Sequence, residues 1–213
     1  MIYPPKMPWL IQQFFPKFLW RMPATIPPTL YLTFDDGPIP DITPWILEQL
    51  EQYQAKATFF CVGDNIRKYP AIFEQVKAAG HTIGNHTYHH LDGWKTSTAD
   101  YLQNVADCQQ LTQSNLFRPP YGKITPRQAA ALFEQYKIVL WEITTWDFEA
   151  SLSANDCTQK IIKNATNGSI ILLHDNVKSW NRLKETLPAI LEHYTKAGFS
   201  FGALDAAIVV DPK

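Results

Sequence analysis

Between Leu30 and Phe201, short apolar runs alternate with amphipathic stretches of helical period, and this alternation most narrows the folds open to the chain. The runs 30–34, 57–62, 81–85, 116–118, 138–141, 170–173 and 199–201 read as strands, the sixth being the most apolar. Thr43-Pro44 supplies an N-cap and a first-turn proline ahead of Ile46, Leu47, Leu50 and Tyr53, and Pro70 opens a helix that Gly80 stops. Thr98 caps a helix through Leu102 and Val105, and Thr125-Pro126 starts another with Ala129 and Leu132. Helices around Ile161 and from Leu183 to Tyr194 complete the series. Repeated strand–helix units imply an α/β fold with a parallel sheet covered by helices, either an open doubly wound sheet or a barrel. About seven units are present, one short of a full eightfold barrel.

One domain is expected over 30–205, with 1–29 as an N-terminal arm packing on it and 206–213 as a C-terminal tail. At 213 residues, 46% hydrophobic and 18% charged, the chain can bury a single sizeable core. Its formal net charge of -1 gives no electrostatic reason to bind nucleic acid or an anionic membrane. Cys61, Cys108 and Cys157 lack any CxxC pairing and read as buried free thiols. No apolar run reaches the length of a signal peptide or a membrane-spanning helix. The aromatic stretch from Trp9 to Trp20 suits packing across the domain better than a membrane surface.

In such folds function gathers where strands end and the following loops begin. Asp35 and Asp36 stand there after the first run, ahead of Gly37-Pro38. Adjacent carboxylates repel, so a pair drawn out of water needs a cation or a proton, although Asp-Gly-Pro also suits a solvated turn. His86 and His90, at spacing i and i+4, lie on one face of a helical turn and can grip a single metal ion with Asp36, leaving room for water. His89 is a rival second ligand, and His81 reads as a core or supporting residue. Arg118, in the stiff Arg-Pro-Pro-Tyr-Gly loop, can orient Asp35 as a base through a bidentate pair. His174 at the end of the sixth run can serve as a general acid if a carboxylate, for which Asp147 is the candidate, keeps it protonated.

These stretches, in this order, resemble the polysaccharide deacetylases with the NodB homology domain, carbohydrate esterase family four, over about 30–201. The matching parts are Thr33 to Pro38, then His86-Thr87 with His90, then Arg118 to Gly122, then Asp147, and last Leu172 with His174. The fourth part departs from the family pattern: Thr144 stands where a first aspartate is usual and Phe148 where a tryptophan is usual.

The resemblance implies a distorted (β/α)7 barrel holding a divalent metal, commonly zinc, with cobalt or nickel as substitutes. It implies hydrolysis of acetyl groups from N-acetylated sugars of peptidoglycan or chitin-type oligomers, or from acetylated xylan in some members. By position, Asp36, His86 and His90 would bind metal, Asp35 would be the base and His174 the acid. Arg118 would steady Asp35, Asp147 would steady His174, and the Tyr121 backbone N–H would support the oxyanion. Leu172 and Trp141 would line the pocket for the acetyl methyl. Because the departures at Thr144 and Phe148 leave these groups untouched, activity is expected, with altered groove shape and rate. The family is mostly exported, whereas the absence of a leader-like run favours a cytoplasmic setting.

Two other readings use the same residues. A sugar-binding protein that lost turnover would bind glycans equally well after Asp35→Asn or His174→Ala. A phosphotransferase aspartate pair of the haloacid-dehalogenase type needs one residue between the two aspartates, and here they are adjacent.

Overall fold

The computed structural model describes residues 4–205; the expected tail at 206–213 lies outside the described residues. The strands are β1 (Thr29–Asp35), β2 (Ala57–Cys61), β3 (Thr82–Asn85), β4 (Leu116–Phe117), β5 (Lys137–Ile138), β6 (Ile143–Thr144), β7 (Ile170–His174) and β8 (Ser200–Phe201). The helices are α1 (Trp9–Phe14), α2 (Ile42–Gln52), α3 (Gly63–Lys68), α4 (Pro70–Ala78), α5 (Thr98–Thr112), α6 (Pro126–Leu132), α7 (Ala154–Asn164) and α8 (Trp180–Lys196). All strand pairs are parallel and run in the order β5-β4-β3-β2-β1-β7-β6, with β8 pairing the start of β1. This single α/β domain is a partly open barrel, as the alternation predicts.

The pleat of β1 sorts its side chains by period two. Leu30, Leu32 and Phe34 face outward into the main core with Ile46 and Leu50 of α2 and Leu187 and Ile190 of α8. Tyr31 joins a smaller cluster with Phe60, Val139 and Ile170, and Asp35, two pleats further along on that face, is buried at the strand end. Asp35 pairs in register with His174 of β7, so two neighbouring strands present their ionisable residues side by side.

The fifth run does not continue as one strand. β5 ends at Ile138, because the carbonyls of Val139 and Leu140 are taken by the Arg118 side chain, and pairing resumes only at β6 against β7. Between β5 and β6 the N-terminal arm enters. Leu19 N donates to Ile138 O and Leu140 N to Leu19 O, and Met7 N reaches Glu142 O. Buried Glu142 meets Lys6 at 3.0 Å and Arg21 at 3.4 Å. Leu19, Trp20 and Met22 are buried, whereas α1 buries no residue and leaves Trp9, Leu10 and Phe14 exposed.

Two expected caps shift. Helix α2 starts at Ile42, so Thr43 lies inside it and its hydroxyl turns to Asp175 instead. Ser97, not Thr98, caps α5, accepting from Asp100 N. The Thr125 cap of α6 is present as a full capping box with Gln128. Helix α3, begun by Gly63 and rich in charge, carries too short an apolar pattern to be read from sequence. The three cysteines are free and buried, and no described helix is long and apolar enough to cross a membrane.

Candidate active site

The ends of β1, β3, β4 and β7 and the loops after them open into one cavity of about 530 Å³, lined among others by Asp35, Asp36, His86, His90 and His174. Asp36, His86 and His90 place one potential ligand atom each within 4.8 Å of one another. His90 Nε2 lies 3.0 Å and His86 Nε2 3.6 Å from Asp36 Oδ1. That oxygen is buried yet makes no hydrogen bond. The other carboxylate oxygen accepts from Asn176 Nδ2 at 2.6 Å, and the Asp36 carbonyl accepts from Asn65 Nδ2 at 2.7 Å.

The histidines keep their i, i+4 spacing but are not on a helix. Thr87 and His90 take left-handed backbone conformations, with φ of 62° and 55°. Buried polar side chains hold this loop. Asn104 of α5 accepts from Tyr88 N and His89 N, each at 2.9 Å, and Asn85 accepts from Thr87 N at 2.9 Å. The turn swings the exposed His89 away and brings His90 back to His86, the two ring centroids 5.1 Å apart. The rival ligand His89 is therefore not in the cluster. His81 is buried and accepts from Ala57 N through Nδ1.

The tautomer of His86 is set by its partner. Arg118 O, 2.8 Å from Nδ1, can only accept, so Nδ1 carries the hydrogen and Nε2 keeps its lone pair toward Asp36. Burial moves the His86 pKa down to about 4, despite Asp35 nearby, so the ring is neutral at neutral pH. Burial alone would raise the Asp36 carboxyl, but the surrounding imidazoles hold it well below its usual range. Two imidazoles, one of them held neutral, and a carboxylate whose free oxygen points between them are the donor set of a zinc-type cation with an open position. The residues fit such an ion.

Arg118 is fully buried and grips Asp35 differently from the bidentate pair expected. A single nitrogen, Nη1, donates to Asp35 Oδ1 at 2.7 Å and to Thr33 Oγ1 at 2.8 Å. Nε and Nη2 are spent on Val139 O and Leu140 O, and the guanidinium lies 4.1 Å from the Phe60 ring centroid. Asp35 Oδ2 is thereby left toward His86, 3.8 Å from Nε2.

Across the cavity, His174 Nδ1 lies 2.7 Å from Asp147 Oδ1, and His174 N donates to Asp147 Oδ2 at 2.8 Å. The Asp147 carbonyl in turn accepts from Arg182 Nε. Burial opposes the charge on His174, but Asp147, aided by Asp36 and Asp35, outweighs it and raises the pKa to about 9. Phe148 meets the His174 ring edge-on at 5.2 Å, and Thr144 also lines the cavity.

Tyr121 adopts φ 60° and sets its ring 4.6 Å from that of His90. Leu172 and Trp141 form apolar wall, with Trp141 so close that a Cβ on Gly122 would come within 2.9 Å of it. All the residues expected at the site therefore border this cavity or support a residue that does.

Sequence reasoning missed Asn176 and Asp175. Fully buried Asp175 accepts from Gly37 N at 2.8 Å and Thr43 Oγ1 at 2.7 Å, and a Cβ on Gly37 would fall 1.8 Å from its Oδ2. Gly37 is thus required for close approach. Both missed residues directly follow His174 at a strand end, which is the signal that would have found them.

A family model described as polysaccharide deacetylase matches residues 23–138, just over half of the chain. A peptidoglycan-N-acetylglucosamine deacetylase of Bacillus cereus is 38% identical over 67% of this chain, which spans only 54% of that relative. A second protein of that description and organism is 34% identical, over 85% of this chain and 88% of its own length. The fold is shared with a solved peptidoglycan N-acetylglucosamine deacetylase in complex with 4-naphthalen-1-yl-N-oxidanyl-benzamide. That structure has a TM-score of 0.83 and 30% identity, over 93% of this chain and 95% of the other.

Proposed function

The chain belongs to the polysaccharide deacetylase family, carbohydrate esterase family four, and on that premise we propose that it is a metal-dependent hydrolase of acetyl groups on N-acetylated sugars. Peptidoglycan and chitin-type oligomers are the substrate class. The observation that carries this reading is the convergence of the Asp36, His86 and His90 donor set, Asp35 and His174 on one cavity.

Asp36, His86 and His90 would hold a divalent cation, zinc or in its place cobalt or nickel, whose Lewis acidity would polarise the acetyl carbonyl and acidify water. Asp35, fixed by Arg118 through Oδ1, takes the proton of the attacking water on Oδ2. The Tyr121 N–H supports the oxyanion of the tetrahedral intermediate. Leu172 and Trp141 give the acetyl methyl an apolar wall. His174, held through Nδ1 by Asp147, donates from Nε2 to the departing amine, which is a poor leaving group until protonated. The amide and water give acetic acid and the amine, which separate as acetate and the ammonium form.

Acetate release from N-acetylglucosamine oligomers and peptidoglycan tests the reading, with metal content measured on the same sample. Chelation should abolish release and added zinc or cobalt restore it. Metal-loaded protein that frees no acetate from any acetylated glycan sinks the proposal.

A further inference from the structure

A second cavity, of about 740 Å³, adjoins the catalytic one and shares Met7, Tyr121 and Trp141 with it. Its walls come from the N-terminal arm, through Ile11, Phe14 and Phe15, and from Trp94, Ala129 and Phe133. This size and apolar lining suit a small-molecule site. Three of its polar side chains, Trp20, Trp94 and Thr125, are already occupied within the protein. Trp20 Nε1 donates to Phe15 O and Trp94 Nε1 to Ile124 O. Thr125 Oγ1 caps α6, and Lys17 Nζ sits 5.5 Å over the Phe133 ring.

A pyranose placed there would lose water from its hydroxyls and find few side-chain partners. A hydrocarbon would lose nothing comparable and would cover aromatic surface now exposed, since Trp94 and Phe14 face solvent. The junction at Tyr121 and Trp141 lets such a group stay attached to a sugar whose acetamido group reaches His174. We propose that this cavity receives the apolar aglycone of an amphiphilic acetylated sugar, an assignment that rests on the deacetylase reading above.

Octyl β-D-glucopyranoside, used below its micelle concentration, carries no acetyl group and tests the cavity without any turnover. Fluorescence of the lining tryptophans should report binding about tenfold tighter or better than methyl β-D-glucopyranoside. The double change Ile11→Asp with Phe14→Asp should erase that difference, and folding is not at stake because α1 buries no residue. In turnover, octyl N-acetyl-β-D-glucosaminide should show a KM about tenfold below that of the methyl glycoside, with kcat within about twofold.

Equal binding of octyl and methyl glucosides overturns the assignment even when both acetylated sugars are hydrolysed. Octyl binding that survives the double change overturns it too. Adsorption to phosphatidylglycerol vesicles, or self-association, without binding of the monomeric amphiphile assigns the surface to a membrane or a second copy, and also overturns it. Octyl glucoside binding without acetate release from any sugar upholds the apolar site and rejects the deacetylase reading instead.

Discussion

Asn176 Nδ2 holds Asp36 Oδ2 at 2.6 Å, so the carboxylate can offer the two imidazoles only its other oxygen. A partner behind a metal ligand fixes its direction, and its loss typically weakens metal binding about 10- to 100-fold. Asn176→Ala should lower zinc affinity by that order in a competition titration with a chromogenic chelator, a readout independent of turnover. Asn176→Asp should weaken it further by setting a second anion against Asp36. Unchanged affinity in both variants would reduce the contact to packing.

His174 links activity to pH. Its pKa, raised to about 9 chiefly because Asp147 outweighs burial, keeps the ring protonated through neutral pH. The proton donor is present below about 9, so kcat/KM on an amide substrate should fall as pH rises through that value. Asp147→Asn leaves burial unopposed by that charge and should move the alkaline limb down toward the ordinary histidine value of about 6.5. His174→Ala should cost about 10²- to 10⁴-fold in kcat. An alkaline limb that stays in place in the Asp147 variant would remove His174 from the acid role.

Asp175 ties stability to pH in the opposite sense from most aspartates. Burial raises its pKa to about 8, while Thr43 and Gly37 pull the other way. The folded state therefore holds a proton that the unfolded chain releases near pH ~3.9. Its stabilising contribution is complete below that unfolded value and is lost as pH rises through about 8. Urea midpoints of the native protein should fall over this range relative to Asp175→Asn, which cannot titrate. Parallel curves for the two proteins would show that Asp175 is ionised in the folded state.

Arg118 and Asp35 form a buried ion pair whose single-sided loss is costly. Arg118→Leu should destabilise the fold by about 3–5 kcal/mol in chemical denaturation, because Asp35 and two carbonyls lose their partner. Adding Asp35→Asn to that variant should recover part of the loss, since an unpaired buried charge is removed. A double variant no more stable than the single one would locate the cost in the carbonyls instead.

The sequence made the strand-end carboxylates, the histidine pair, Arg118 and His174 legible because parallel strands bring their ends together whatever lies between them. It did not show what orients them. Asn104 holds the histidine loop from 15 residues away along the chain and reads as an ordinary polar position on α5. The left-handed residues at Thr87 and His90 leave no mark in composition, so the i, i+4 spacing suits a helix and does not reveal the turn. Two-residue strands such as β6 carry no period at all, and their place is set by the barrel rather than by their own residues. The strand-end position marks Asp175 as a candidate, but a buried acid looks the same in sequence as a solvated one, so its protonation is not legible there.

The N-terminal arm inserts between β5 and β6 and also walls the apolar cavity. One segment thus acts as both a stave of the barrel and a jaw of the mouth. Exchanging it for another sequence would change which molecules enter and how firmly the barrel holds together in the same stroke, so selectivity and robustness in this protein are inherited as a single trait.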